Sequence, residues 1–185
     1  MDKGKDNKPH IGIYGRRNVG KSSFINALTG IDVAIVSEIA GTTTDPVKKS
    51  IEIFGIGPAI LVDTAGIDDF GDLGAKRIQK TIQTLKHIDA AILLISENVF
   101  GSFEQKLIEE FNNYKIEYII VHNKEDLEKL TDETVMQIQL CSKAPIEICS
   151  IIKSQNIGEV IELLKITIPK TSYQKTTLLA TDEDV

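Results

Sequence analysis

The sequence predicts an α/β fold: a doubly wound, mostly parallel six-stranded sheet with one antiparallel edge strand. Three observations predict it. Short apolar runs at 10–14, 47–54, 59–63, 89–96, 116–122 and 145–149 alternate with helical patterns at 21–30, 74–87, 102–114, 131–140 and 156–167. The runs are almost uniformly apolar, as strands covered on both faces must be. One connection breaks the alternation: Gly57-Pro58 joins 47–54 to 59–63 without a helix, so these two strands form a hairpin.

Taken in order, the first strand candidate, His10 to Tyr14, runs directly into Gly15-Arg16-Arg17-Asn18-Val19-Gly20-Lys21-Ser22, a complete G-x-x-x-x-G-K-S phosphate loop. A helix follows and ends at Gly30. Strand, glycine-rich turn and helix start are the setting this motif needs, and they make the fold that of a P-loop NTPase. Gly15 and Gly20 let the backbone wrap its amides around phosphates, and the helix N-terminus adds partial positive charge. Arg17, Asn18, Val19, Gly20, Lys21, Ser22 and Ser23 are therefore candidate nucleotide contacts. Lys21 would reach the β- and γ-phosphates, and the Ser22 hydroxyl would bind Mg²⁺.

Residues 32–46 and 66–75 read as loops. The first holds Gly41-Thr42-Thr43-Thr44-Asp45-Pro46, where one threonine hydroxyl can complete a Mg²⁺ shell. Between the two loops lies the hairpin, whose second strand ends at Asp63-Thr64-Ala65-Gly66. The Asp63 carboxylate can hold Mg²⁺ through water, and the Gly66 N–H can approach a γ-phosphate.

Further on, Ser102-x-x-Gln105 resembles a capping box opening the third helix, and Asn156 can cap the fifth. The strand Tyr118 to His122 ends in Asn123-Lys124-Glu125-Asp126, an N-K-x-D. The Asp126 carboxylate accepts two hydrogen bonds, from guanine N1–H and the 2-amino group. Adenine would leave that carboxylate unpaired. Asn123 would bridge loops and touch N7, and the Lys124 stem would cover one face of the base. Ser150-Ile151, after the last strand, is the candidate for a backbone contact to guanine O6. Phosphate loop, Asp63 and N-K-x-D all follow strand ends, where ligands of such sheets sit.

The 185 residues suffice for one ordinary domain with a real core. Residues 1–8 read as a disordered N-terminus, 9–168 as the nucleotide-binding domain and 169–185 as a linker or tail, the chain being expected to be a piece of something longer. The net charge of −6 gives direct nucleic-acid binding no help. Cys141 and Cys149 match no metal or redox spacing and are expected to be reduced and at least partly buried. Met1 to Pro9 is polar and lacks the apolar run of a signal peptide, and the longest apolar run, Ala90 to Ile95, is far too short to span a bilayer, so a cytoplasmic location is expected.

The phosphate loop, the Gly-Thr-Thr-Thr-Asp-Pro-Val segment and Asp-Thr-Ala-Gly together resemble the TrmE–Era–EngA group of GTPases. Over residues 9–168 the chain also resembles the GTPase domain of HydF, the FeFe-hydrogenase maturation factor. That likeness rests on Val33-Ala34-Ile35-Val36-Ser37, Thr42 to Lys49, Gly57 to Asp63 and Ile67 to Gly74. It implies GTP and GDP as ligands, Mg²⁺ held by Ser22, Thr43 and Asp63, and K⁺ beside Asn18. Lys21, Thr43, Gly66 and Asp72 are the candidate catalytic residues. Residue 67 is Ile, which cannot orient water, so a K⁺ ion or a carboxylate of Asp68, Asp69 or Asp72 would have to assist. The loop Ser150-Ile151-Ile152 departs from the group's usual Ser-Ala-x. The implied function is slow Mg²⁺-dependent GTP hydrolysis as a switch in hydrogenase cofactor maturation. Its partners would be maturation proteins met through a missing C-terminal region, and a second copy met transiently through the switch loops. The alternatives are a ribosome or tRNA-modification factor of the Era/TrmE type, and a switch that barely turns over.

Overall fold

The computed structural model describes residues 8–39, 46–64 and 75–168. In chain order the elements are β1 (His10–Gly15), α1 (Lys21–Leu28), β2 (Val33–Ile39), β3 (Val47–Ile53), β4 (Gly57–Asp63) and α2 (Ala75–Thr84), closed by a 3-10 turn at Leu85–His87. There follow β5 (Ala90–Ser96), α3 (Ser102–Asn113), β6 (Glu117–Asn123), α4 (Asp132–Gln139), β7 (Ile146–Ile148) and α5 (Ile157–Thr167). Among the described residues one sheet runs β2-β3-β4-β1-β5-β6-β7. Neighbours from β4 through β7 pair in parallel, while β3 is antiparallel to both β2 and β4.

The P-loop NTPase fold is as expected, with two corrections. The sheet has seven strands, and the antiparallel strand β3 is not its edge; β2 is. Residues 33–39, expected to lie in a loop, form this edge strand. Val33-Ala34-Ile35-Val36 has strand propensity, but only Val33 is buried, and Ile35, Val36 and Ile39 face solvent. A register shift between Ile35 and Ser37 bulges the strand, a common device for blunting an edge.

Uniformly apolar strands supply two cores by simple alternation. Ile11 and Ile13 of β1, with Ile92 and Leu94 of β5, pack with Phe24, Ile25 and Leu28 of α1 and Val160, Ile161 and Leu164 of α5. Tyr14, Leu93 and Ile95 point the other way, toward Leu107, Ile108 and Phe111 of α3 and Ile138 of α4. Each fully buried Ile, Leu or Phe contributes about 1.5–3 kcal/mol. Tyr14 meets the Phe111 ring edge-on at 5.4 Å, and its hydroxyl pairs with Thr84 Oγ1 at 2.8 Å. Burial pushes its ionisation above the ordinary tyrosine range.

The helix starts differ from expectation in detail. The N-cap of α3 is Gly101, and Glu104 at N3 reaches back to its N–H at 3.3 Å, one position before the Ser102–Gln105 pair. Asn156 is the N-cap of α5, but it sits in the left-handed region and its side chain makes no cap bond. Thr131, not singled out in the sequence, caps α4 through its hydroxyl and the Thr134 N–H at 3.2 Å. Cys149 is buried as expected, whereas Cys141 is exposed. Among the described residues no helix is long and apolar enough to cross a membrane.

Candidate nucleotide site

β1 lies between β4 and β5, at the point where strand order reverses, and its C-terminal end opens the crevice in which such sheets bind ligands. Three loops meet there. The first is the turn from β1 to α1. Asn18 and Gly20 adopt φ values of 68° and 100°. Gly20 is required twice over, since a Cβ would come within 2.7 Å of Asn123 Nδ2. The Gly20 carbonyl accepts the Phe24 N–H at 2.8 Å, which starts α1, and no side chain caps this helix. Its first amides are thus available to an anion. Lys21 is buried, and its ammonium donates to the carbonyls of Gly15 at 2.5 Å and Arg16 at 3.1 Å. Ser22 and Ser23 are exposed on the first turn of α1.

The second loop begins where β4 ends. Ile13 is paired in register with Asp63, and Thr64 Oγ1 donates to the Ile13 carbonyl at 2.5 Å. This places a largely buried Asp63 beside the start of the phosphate loop. The hard oxygens of Ser22 and Asp63 are the donor types that suit Mg²⁺. Thr43, Gly66 and Asp72 lie outside the described residues, as do Ile67, Asp68 and Asp69.

The third assembly is N-K-x-D with the loop after β7. The Asn123 side chain is buried; its Nδ2 donates to the Val19 carbonyl at 3.0 Å and its Oδ1 accepts the Ile151 N–H at 3.2 Å. The Lys124 ammonium donates to the Asn18 carbonyl at 2.6 Å. Ser150 Oγ, fully buried, donates to Asp126 Oδ1 at 2.5 Å. The structure therefore brings together Asn18, Val19, Gly20, Lys21, Asn123, Lys124, Asp126, Ser150 and Ile151. Fixed backbone donors and one ammonium can hold phosphates, and a fixed carboxylate can read a base that presents two adjacent donors.

Sequence reasoning missed a support beneath this site. His122 is buried; its Nε2 accepts the Asn98 N–H at 3.2 Å, so its Nδ1 carries the proton and donates to Glu125 Oε2 at 2.7 Å. The other Glu125 oxygen takes the Leu130 N–H at 3.0 Å. The signal was available: a histidine closing an otherwise apolar strand, three residues before a glutamate. Cys149, which donates to Asn123 Oδ1 at 3.6 Å, has its thiol pushed up to about 12 by burial and by Glu125 and Glu147. It is a protonated donor at neutral pH.

A match to the family described as 50S ribosome-binding GTPase covers residues 10–124. The tRNA modification GTPase MnmE of Aliarcobacter butzleri is 38% identical over 166 residues, covering 83% of this chain and 36% of that protein. GTPase Der of Wolinella succinogenes is 34% identical, covering 86% of this chain and 35% of that protein. The chain thus spans about a third of these relatives. The crystal structure of an Era variant from Aquifex aeolicus, bound to GDP and aluminium fluoride, aligns with a TM-score of 0.63 at 26% identity, over 86% of this chain and 56% of that one. With the phosphate loop and N-K-x-D meeting at one sheet edge, this likeness makes the chain a member of the 50S ribosome-binding GTPase family, a domain that binds and hydrolyses GTP.

Proposed function

We propose that residues 9–168 are the GTP-driven switch of a longer protein that acts in tRNA modification. The observation that carries the switch reading is the Asn123 amide, which joins the phosphate loop to the base-reading loops. The MnmE name of the relatives supports the tRNA assignment. On this reading Lys21 neutralises the β- and γ-phosphates, and Asp126, held by Ser150, selects guanine. Ser22, Asp63 and Thr43 hold Mg²⁺, which supplies charge neutralisation at the phosphates. Gly66 meets the γ-phosphate, Asp72 assists the attacking water, and Asn18 helps hold K⁺. With a net charge of −6, tRNA contact falls to parts of the protein outside this domain rather than to its surface. A transient second copy would meet it through residues 32–46.

The HydF reading stands second, favoured by one specific observation: the Thr-Thr-Thr-Asp-Pro-Val and Asp-Asp-x-Gly-x-Leu-Gly strings. The relatives reported above carry tRNA-modification and Der names and give it no support. Deleting the gene and measuring modified tRNA nucleosides beside FeFe-hydrogenase activity separates the two. Altered nucleosides with normal hydrogenase support the tRNA role. The reverse result replaces it with hydrogenase maturation.

A further inference from the structure

Arg16, the residue after Gly15, does not act alone. Its Nε lies 2.8 and 3.0 Å from the two carboxylate oxygens of Glu104, 88 residues away on the first turn of α3. Its guanidinium sits 5.6 Å from the Phe103 ring centre. Glu104 is 1% exposed. A helix-capping glutamate at N3 has no need of burial; it serves equally well in water. Burial instead raises its carboxyl above the usual range, and Arg16 opposes that rise. The same arginine presents its own carbonyl to the Lys21 ammonium at 3.1 Å and to the Val19 N–H at 3.4 Å. A chain of contacts therefore leads from α3 through Glu104 and Arg16 to the lysine of the phosphate loop.

We propose that Glu104 is a positioning residue for the nucleotide: by clamping Arg16 against α3 it holds residues 15–19 in the shape that accepts the phosphates. The proposal rests on reading Gly15 to Ser22 as the phosphate site. It predicts an effect confined to phosphate binding and hydrolysis. Base selection is fixed separately, through Asp126 and Ser150. Losing a charge-assisted bond at this point should weaken GDP about tenfold.

The test compares wild type with Glu104→Gln and with the double variant Arg16→Met, Glu104→Leu, by calorimetric titration of GDP and inosine diphosphate and by thermal unfolding. Inosine lacks the 2-amino group that Asp126 reads. The expected result is about tenfold weaker GDP binding in Glu104→Gln, with the GDP-to-inosine-diphosphate ratio unchanged. Only Glu104 of this pair is buried, and removing both partners leaves no buried carboxylate unpaired, so stability should be restored. The double variant should therefore melt near wild type and still bind GDP weakly. Unchanged GDP affinity in Glu104→Gln, or affinity that returns together with Tm in the double variant, would overturn the proposal and leave the pair a structural tie. A wild-type protein that binds both diphosphates equally would instead remove the guanine reading, which is a separate failure.

Discussion

The Asn123 side-chain amide donates to the Val19 carbonyl at 3.0 Å, across 104 residues of sequence, and so fixes the base-reading loop against the phosphate loop. The bond also explains Gly20, since a Cβ there would strike that same amide nitrogen. Asn123→Ala should leave the buried Val19 carbonyl and Ile151 N–H unpaired, a loss of about 2 kcal/mol. In a domain of this size that lowers Tm by roughly 4–8 °C. GTP affinity should fall with it. A thermal melt and a nucleotide titration check both, and an unchanged Tm would show that the bridge is not holding the loops.

Motif positions were legible because their chemistry restricts residue type. The Gly15–Ser22 loop, Asp63 and Asn123–Asp126 could be placed at strand ends from sequence, and they lie at one sheet edge. β2 was not legible, because Val33–Ile39 is an exposed edge strand held mainly by backbone pairing with β3, and its side chains carry little burial pattern. Nor was the role of Glu104, whereas the His122–Glu125 pair had a local signal in its i,i+3 spacing. Glu104 depends on a partner 88 residues away, and no local spacing announces it to Arg16.

Lys21→Ala should abolish useful GTP binding and turnover. The triphosphate loses its point counter-ion, and Gly15 and Arg16 lose the ammonium their carbonyls now accept. Titration with a fluorescent GTP analogue and a phosphate-release assay measure the two effects. Wild-type affinity and rate would remove the phosphate-loop assignment.

Asp126→Asn should weaken GTP and improve xanthosine triphosphate, whose ring carries a carbonyl where guanine has its amino group. Ser150→Ala should act in the same direction for GTP but more weakly. It removes the hydroxyl that donates to Asp126 Oδ1 and leaves the charge intact. Competition between the two nucleotides reads both variants, and an unaltered base preference in Asp126→Asn would end the base-recognition claim.

The two thiols should differ sharply. Cys141 is exposed and Cys149 is buried, with its thiol raised from 9.0 to about 12. At pH 8 iodoacetamide should label Cys141 in the folded protein and spare Cys149 until denaturant is added. A raised acidic group favours the folded state below its unfolded value. The Cys149 contribution is therefore complete below about pH 9 and is lost as pH climbs toward 12. Mass spectrometry of labelled peptides reports the first effect, and rapid native labelling of Cys149 would contradict it.

Hydrolysis should respond to K⁺ and not to Na⁺. Residue 67 is Ile, which cannot orient the attacking water, and Arg16, one of the two arginines of the phosphate loop, is engaged by Glu104. Transition-state charge at the phosphates therefore needs another cation for appreciable turnover. Asn18 is the proposed ligand. Its φ of 68° holds it in the left-handed region at the crest of the phosphate loop, its carbonyl is taken by Lys124 at 2.6 Å, and the residue remains exposed. A cage made of its amide oxygen and of loop carbonyls would consist of neutral oxygens, which would favour the larger, more easily dehydrated ion. In matched chloride salts the wild-type rate should be about tenfold higher with K⁺ than with Na⁺, and Asn18→Ala should lose that difference while keeping its affinity for GDP within about twofold. Equal rates in the two salts would rule out the ion, full K⁺ stimulation in Asn18→Ala would rule out Asn18 as its ligand, and the first result would leave activation of the water to a carboxylate.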